Sequence, residues 1–220
     1  MGTYVEQMEG VMKEALPSFY ENDFIQACER GEVLPGPLLN YIYQDNIYLD
    51  HFLPMFTKVL QSYKIETKSL LQFQGDQDTE PHQMMDILAK EMANVDKVKV
   101  VKDWLPATTG YLNHLDESDK KENFISLSAL AGCPYVYGYL AERLITDGKM
   151  KPDNPFFNWF DFYKGTDGQV TRDLLAALDK EAEKVSEDVR QQGLTAFYQS
   201  VQFENDFFAQ AMEVEDDKRG

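Results

Sequence analysis

The 220-residue sequence predicts an all-α helical bundle, and three observations support this. Apolar residues recur three and four positions apart along most of the chain, which is the helical period, whereas alternating β patterns are scarce. Proline, glycine and cap residues stand at the ends of these segments, so the connections are short. Hydrophobic residues make up 43% of the chain, enough for one sizeable core. We therefore expect a single domain over residues 1–220.

The first two helices are bounded by a proline and a glycine. The apolar residues of segment 5–15 recur at helical spacing, and this helix is predicted to end before Pro17, because proline disrupts a helix interior. A short helix over 24–30 is predicted to end at Gly31, since glycine readily adopts the left-handed conformation found after a helix.

The middle of the chain predicts two further helices. A long helix should run from about Pro37 to Tyr63, with a kink at Pro54. Residues 72–79 are predicted as a loop. Pro81 then opens a helix whose apolar stripe is Met85, Leu88, Met92 and Val95.

The second half predicts further helices. Pro106 interrupts the chain before a helix that carries Tyr111. Asp119 and Glu122 resemble a capping pair before one long helix that ends at Gly148. The remaining predicted helices are a short aromatic one from Asn154 through Tyr163, and two at the end of the chain, 169–190 and 194–214, separated by Gly193.

Charge and cysteine content exclude several classes of protein. The chain has 21 basic and 38 acidic residues, a net charge of −17, which repels phosphate backbones and anionic lipids. We therefore expect no nucleic-acid or membrane partner. Cys28 and Cys133 form no disulfide framework. The N-terminal residues lack the basic start and apolar run of a signal peptide, and no stretch approaches the length of a membrane span, so we expect a cytoplasmic protein.

Two acids interrupt apolar stripes on separate predicted helices. Asp45 lies in the stripe formed by Leu38, Tyr41, Tyr48 and Phe52, and Glu204 lies in the stripe Phe197, Val201, Phe208 and Ala211. Carboxylates are rarely buried, because desolvation penalises their charged form. One such acid alone would more simply be explained by a rotated helix. Two of them together predict a shared buried site.

A thiol interrupts a third stripe. Cys133 is followed one helical turn later by Tyr137, between Leu130 and Leu140. A free cysteine is often only a small core residue, and that alternative stays open for Cys133. Cys28 has no chemically capable partner one turn away, and we expect it to be structural.

No metal or organic cofactor is expected. The three histidines, His51, His82 and His114, lack the Glu-x-x-His spacing of di-iron bundles. Phosphate-binding and dinucleotide-binding glycine motifs and the hydrolase motif G-x-S-x-G are also absent from the sequence.

The ordered set of motifs resembles the TenA, or thiaminase II, family of the haem-oxygenase-like helical superfamily. The resemblance rests on YIYQDNIYL at 41–49, SALAGCPYVY at 128–137, NWFDFY at 158–163 and SVQFENDF at 200–207. Tyr111 falls where the family keeps a pocket tyrosine. The family commonly has proline before the active cysteine, whereas here Gly132 precedes it and Pro134 follows. Residues 72–80 match no family pattern.

The resemblance implies hydrolysis of aminopyrimidine, and of thiamine, to hydroxymethylpyrimidine for thiamin salvage. Cys133 is implied to be the nucleophile, and Glu204 to protonate a ring nitrogen. Asp45 would accept a hydrogen bond from the substrate amine, and Tyr48 would stack on its ring. The resemblance further implies a homotetramer. Three tyrosines are implied to orient these groups: Tyr111, Tyr137 and Tyr163.

Three alternatives stay open at this point. The chain could be a pyrimidine-binding or regulatory protein without turnover, although its net charge disfavours direct DNA contact. It could be a salvage hydrolase that does not use the cysteine, which Cys133 disfavours. An oxidase of the same superfamily is disfavoured by the missing metal ligands and cofactor motifs.

Overall fold

The structure, a computed structural model, describes residues 2–66, 81–165 and 169–213. Within these ranges the chain is helical and has no β-strand, so the all-α prediction is confirmed. The helices are α1 (Tyr4–Tyr20), α2 (Asp23–Arg30), α3 (Pro35–Ser62), α4 (Pro81–Glu91), α5 (Pro106–Asp119), α6 (Asn123–Leu130), α7 (Gly132–Thr146), α8 (Phe157–Gly165), α9 (Gln169–Ala182) and α10 (Glu187–Gln210), with a short 3₁₀ helix at Val95–Lys97.

Helix α6 forms the centre of the bundle. Every side chain from Phe124 to Leu130 is buried. Helices α3, α5, α7, α9 and α10 pack around it, and α1 closes the outside of α10. A helix that is apolar on all sides is stable only when other helices cover it in this way.

Helices α6 and α7 correct the expectation about membrane spans. Residues 123–146 are long and apolar enough to cross a membrane by length and composition. However, 72% of the most apolar stretch is buried inside the molecule. Its apolar surface is thus used against other helices of the same chain, as in a core helix.

Several predicted boundaries are confirmed. Helix α2 ends at Gly31, which has a φ of 69°, and α7 is followed by Gly148, with a φ of 72°. Helix α3 continues past Pro54, and α5 begins at Pro106. The segment 72–80, including the predicted loop, lies outside the described residues.

The predicted end of α1 before Pro17 is wrong. The helix continues to Tyr20, and its last turn contains Phe19, which is fully buried. Phe19 packs against Phe208 with ring centroids 6.3 Å apart. Burying a phenylalanine contributes about 1.5 to 3 kcal/mol, which offsets most of the cost of about 3 kcal/mol for a proline inside a helix.

The single helix predicted before Gly148 is two helices joined at Ala131. The predicted capping pair is also wrong. Glu122 occupies the cap position of α6 but makes no side-chain cap hydrogen bond. Asp119 instead accepts hydrogen bonds from Lys58 and Ser126.

Gly193 does not separate two helices, as predicted, but lies inside α10. A Cβ atom built on Gly193 would lie 2.7 to 2.9 Å from side-chain atoms of Tyr4, Phe124 and Ser128. The glycine therefore lets α10 approach α1 and α6 closely. The actual break lies between Ala182, the end of α9, and Ser186, whose hydroxyl caps α10.

Candidate active site

Helix α3 carries one buried polar face. Tyr41, Asp45 and Tyr48 follow one another at helical spacing, and their residues are only 2%, 7% and 3% exposed. The apolar residues of the same stripe anchor this face in the core. The burial of Asp45, predicted from its place in the stripe, is confirmed.

Helix α10 places Glu204 opposite this face. The residue is 2% exposed and lies among the buried side chains of Val201 and Phe208. The rotated-helix alternative, in which the acid reaches solvent, is therefore excluded for Glu204.

Cys133 enters from the first turn of α7. Pro134 follows it in the same turn, where a missing N–H costs little, because the first N–H groups of a helix have no acceptor inside it. The joint between α6 and α7 lies at Ala131, two residues before the cysteine. The Cys133 residue as a whole is half-buried, but its sulfur atom is surrounded by other protein atoms.

The three reactive groups are mutual neighbours. Glu204 interacts with Asp45, Cys133 and Tyr111, and Cys133 in turn interacts with Tyr48. Groups from α3, α5, α7 and α10 therefore meet in one place. None of the acids or the thiol points away from the others into bulk solvent.

Aromatic rings border this place. The ring centroids of Tyr48 and Tyr111 are 4.9 Å apart, and those of Tyr48 and Phe207 are 5.9 Å apart. Tyr111 stacks on Phe203 at 5.5 Å. Such an arrangement offers a flat wall to a planar ring.

Two further tyrosines adjoin the acids. The ring centroids of Tyr137 and Tyr163 are 4.7 Å apart, and Tyr137 interacts with Asp45 and Glu204. The hydroxyls of Tyr137 and Tyr41 are 2.6 Å apart. The structure thus brings all seven predicted site residues into one neighbourhood.

Tyr41 is the residue that the sequence reasoning missed. It interacts with Asp45, Tyr137, Tyr163 and Glu204, and it is fully buried. Its signal was present, because Tyr41 lies one helical turn before Asp45 on the same stripe. It was assigned only to the core.

Three buried polar atoms of this cluster make no hydrogen bond of regular geometry. They are the hydroxyl oxygens of Tyr48 and Tyr111 and Oε1 of Glu204. Leaving a buried polar group unsatisfied costs about 1 to 3 kcal/mol. Native proteins keep such groups rarely, so three of them within one cluster need an explanation.

Burial raises the pKa of Glu204 from 4.5 to about 8. Tyr111 and Cys133, acting as weak donors, lower it in part, and the charge of Asp45 raises it further. Glu204 is therefore largely protonated at neutral pH. A protonated carboxyl enclosed among rings is a proton donor rather than a fixed charge.

Burial also raises the pKa of the Cys133 thiol well above its usual value. The charges of Glu204 and Asp45 act in the same direction, and Tyr48 opposes them weakly. The free protein therefore holds a neutral thiol.

The two described histidine side chains have hydrogen-bond partners outside this cluster. His51 pairs with Asp116 at 2.9 Å, and His114 lies 3.0 Å from Ser200 Oγ. The side chain of His82 lies outside what the structure describes. In the described part of the chain, no group of three or more His, Cys, Asp or Glu side chains could hold a metal ion.

Fold and site together define a class: an all-α bundle with a thiol, two carboxyls and several tyrosines converging in its core. No family model matches the chain. An aminopyrimidine aminohydrolase of Staphylococcus aureus (strain USA300) is 27% identical over 220 residues, which cover 96% of this chain and 95% of the relative.

Solved structures with a similar fold carry the name TenA. A protein of Sulfolobus solfataricus described as a TenA-like thiaminase superposes with a TM-score of 0.70, at 21% identity over 97% of both chains. The TenA homologue of Pyrococcus horikoshii OT3 gives a TM-score of 0.69, at 18% identity over 96% of this chain and 99% of its own. Over nearly its whole length, the chain is thus similar in sequence to an aminopyrimidine aminohydrolase and in fold to TenA-like proteins.

Proposed function

We propose that this protein is an aminopyrimidine aminohydrolase of the thiaminase II type, in which Cys133 is the nucleophile and Glu204 the acid. One observation carries the proposal. A carboxyl with a raised pKa, a thiol and two hydroxyls are neighbours in the core, and three of their oxygen atoms make no hydrogen bond of regular geometry. The aminopyrimidine aminohydrolase of Staphylococcus aureus supports the substrate class.

A 4-aminopyrimidine has the shape and polarity that these groups require. Its flat ring would lie against Tyr48 and Phe207, and its amine would donate a hydrogen bond to Asp45. Its ring nitrogens accept hydrogen bonds, so the Tyr48 and Tyr111 hydroxyls and the Glu204 carboxyl would gain the partners they lack. Tyr137 and Tyr163 would orient the amine through their neighbour Asp45.

Catalysis would begin with proton transfer from Glu204 to a ring nitrogen, which makes a neighbouring ring carbon electrophilic. Cys133 sulfur would then bond to that ring carbon and release its own proton to the amine of the substrate's aminomethyl group, which departs as ammonia, while the ring amine at Asp45 stays in place. The positive charge on the protonated ring would lower the pKa of the Cys133 thiol, because a nearby cation stabilises the thiolate. Among the described residues, the free site contains no such charge beside the sulfur.

Water would complete the hydrolysis. Its oxygen bonds to the methylene carbon that lost the amine, and the bond between the Cys133 sulfur and the ring carbon breaks. One proton of the water passes to the sulfur, and the ring proton returns to Glu204. Both enzyme groups thus regain their starting forms, and the products are ammonia and a hydroxymethylpyrimidine.

The wider setting is part of the same proposal. We expect a role in thiamin salvage, a cytoplasmic location, one domain over residues 1–220 and a homotetramer, all supported by the family resemblance. The proposed steps require neither a metal nor an organic cofactor. Elemental analysis that finds a stoichiometric transition metal in active protein would contradict this mechanism.

The test is turnover by the purified protein. Aminopyrimidine should yield ammonia and hydroxymethylpyrimidine in equal amounts, and thiamine should yield the free thiazole. Cys133→Ser and wild-type protein are compared for turnover and for pyrimidine binding by calorimetry. Binding without turnover in the wild type would favour the regulatory alternative, and normal turnover by Cys133→Ser would favour a cysteine-independent hydrolase.

A further inference from the structure

A chain of hydrogen bonds lies directly behind the proposed nucleophile. We propose that His114 and Ser200 are positioning residues that hold the α6–α7 joint, and through it the Cys133 thiol, at the distance from Glu204 that the reaction needs. The inference rests on the proposed covalent role of Cys133. Neither residue was assigned to the site by its sequence pattern.

The donor and the acceptor of each hydrogen bond in this chain of bonds can be assigned. Ser200 Oγ donates to the carbonyl oxygen of Ala129 at 2.8 Å, in the last turn of α6. His114 Nε2 lies 3.0 Å from Ser200 Oγ and 3.1 Å from the carbonyl oxygen of Ala196. The Ala196 carbonyl can only accept, and Ser200 has already given its single proton to Ala129. Nε2 of His114 therefore carries the hydrogen and donates to both.

Ser200 also touches the backbone beside the thiol. A Cβ atom built on Gly132 would lie 2.3 Å from Ser200 Cβ and 3.4 Å from the Tyr111 hydroxyl. No side chain fits at Gly132 without a shift of α10 or α7. The position of Ser200 thus limits where Cys133, the next residue, can lie.

The same two helices carry the reacting groups. Ser200 and Glu204 are one turn apart on α10, and His114 and Tyr111 are one turn apart on α5. The hydrogen bonds therefore tie the α6–α7 joint to the helices that hold the acid and a pocket tyrosine. A displacement of about 1 Å in such an arrangement can cost about 10²-fold in rate.

The environment of His114 keeps its ring in one protonation state. Burial lowers the pKa of His114, so the ring is neutral at physiological pH. The ring packs against Phe203, with centroids 5.5 Å apart, and near Tyr111 at 6.4 Å. The residues packed around His114 leave its Nε2 directed at α10.

The decisive variant is Ser200→Ala, which removes the hydroxyl and keeps the Cβ atom against Gly132. Its matched control is Ser62→Ala, because the exposed Ser62 hydroxyl also donates to a carbonyl, that of Val59 in its own helix. We expect Ser200→Ala to lower kcat by about 10- to 100-fold with little change in KM, since the thiol is misplaced and the binding wall is intact.

A second readout does not depend on turnover. Alkylation of Cys133 by iodoacetamide is followed by peptide mass spectrometry across a pH series, with melting temperature measured in parallel. Ser200→Ala should change the rate and the pH midpoint of alkylation, whereas Ser62→Ala should change neither. A residue that only stabilises the fold would lower the melting temperature and leave the pH midpoint in place.

His114 provides an independent arm if Ser200→Ala folds poorly. His114→Phe keeps a ring against Phe203 but cannot donate, and His114→Gln keeps an N–H donor. We expect loss of kcat and an altered alkylation profile in the first variant and substantial rescue in the second.

The proposal is wrong if Ser200→Ala or His114→Phe is folded and matches Ser62→Ala in both kcat and alkylation. If the wild type hydrolyses no aminopyrimidine, the proposed function fails, and the alkylation profiles still decide whether these residues position the thiol.

Discussion

Two buried polar clusters lie side by side in this bundle, and they differ in how their hydrogen bonds are satisfied. The first, which we call the α5 clamp, consists of Gln44, Thr108 and Gln210. Gln44 Oε1 accepts from Thr108 Oγ1 at 2.8 Å, and Gln210 Nε2 donates to the same hydroxyl at 2.8 Å. Both glutamines also accept from backbone N–H groups at the start of α5.

The second cluster begins one residue later, at Asp45. Here the hydroxyls of Tyr48 and Tyr111 and one oxygen of Glu204 are buried and make no hydrogen bond of regular geometry. Successive residues of a helix point about 100° apart, so Gln44 and Asp45 serve different clusters from one turn of α3. The hydrogen bonds of the α5 clamp hold α5 in place, and the second cluster is the one for which we propose a ligand.

The largest expected effect is a difference in turnover between substitutions of the two cysteines. Cys133→Ser should lower turnover of aminopyrimidine by at least about 10³-fold while pyrimidine binding persists, because a hydroxyl without a strong base is a poor nucleophile. Initial rates and calorimetric affinities measure the two effects. Cys28→Ala is the control, since Cys28 is fully buried away from the acids and should keep its turnover. Equal losses in both variants would contradict the assignment.

Glu204→Gln should lower kcat by about 10²- to 10⁴-fold, the usual range for general acid catalysis. Because the pKa of Glu204 is about 8, the wild-type rate should fall as pH rises through 8 and Glu204 loses its proton. The rate of the variant should show no such fall. The control is Glu213→Gln, an exposed acid beyond the end of α10. The double variant with Cys133→Ser should lose much less than the product of the single losses. A wild-type rate that rises through pH 8 would refute Glu204 as the acid.

The same residue should make stability depend on pH. The pKa of Glu204 is about 8 when folded and 4.5 ordinarily, so the folded state binds more protons between these values, and stability falls as pH rises through this window. At about 1.36 kcal/mol per pKa unit, the loss amounts to a few kcal/mol. Urea unfolding of wild type and Glu204→Gln at both ends of the window measures it. We expect the variant to be the more stable near the upper end. Parallel curves for the two proteins would show that the carboxyl is not protonated when folded.

The smallest effect compares one hydroxyl from each cluster. Thr108→Val should cost about 1 to 3 kcal/mol in the free energy of unfolding, because two buried amide groups lose their partner. Tyr48→Phe should cost less than this, because its hydroxyl makes no hydrogen bond of regular geometry. Urea unfolding gives the sign of each change, and turnover should fall for Tyr48→Phe. Destabilisation of both variants to the same extent would remove the distinction between the clusters.

Much of the site could be predicted from the sequence, because spacing along a helix is a local property. Asp45 and Glu204 break apolar stripes, and a stripe alone determines which face of its helix is buried. That Cys133 joins the two acids depends on how three helices are placed, which periodicity does not contain. The family resemblance supplied that step.

The wrong predictions of helix ends also arise from contacts between helices, which local sequence patterns do not contain. Gly193 and Pro17 are helix breakers by intrinsic preference, yet each lies within a helix because of a distant partner: α6 and α1 for Gly193, and Phe208 for the turn after Pro17. The α5 clamp was missed because glutamine and threonine carry no sequence signal of burial. Its partners are separated by more than 60 residues.

The central position of α6 has a consequence for how this chain reaches its fold. Seven consecutive buried residues, Phe124 to Leu130, need α10 as their main cover, and α10 is the last described helix in chain order. During synthesis the ribosome therefore releases α6 well before the surface that shields it exists. Until α10 emerges, the nascent chain exposes a largely apolar segment, which is the kind of segment that chaperones bind and that aggregates when left alone.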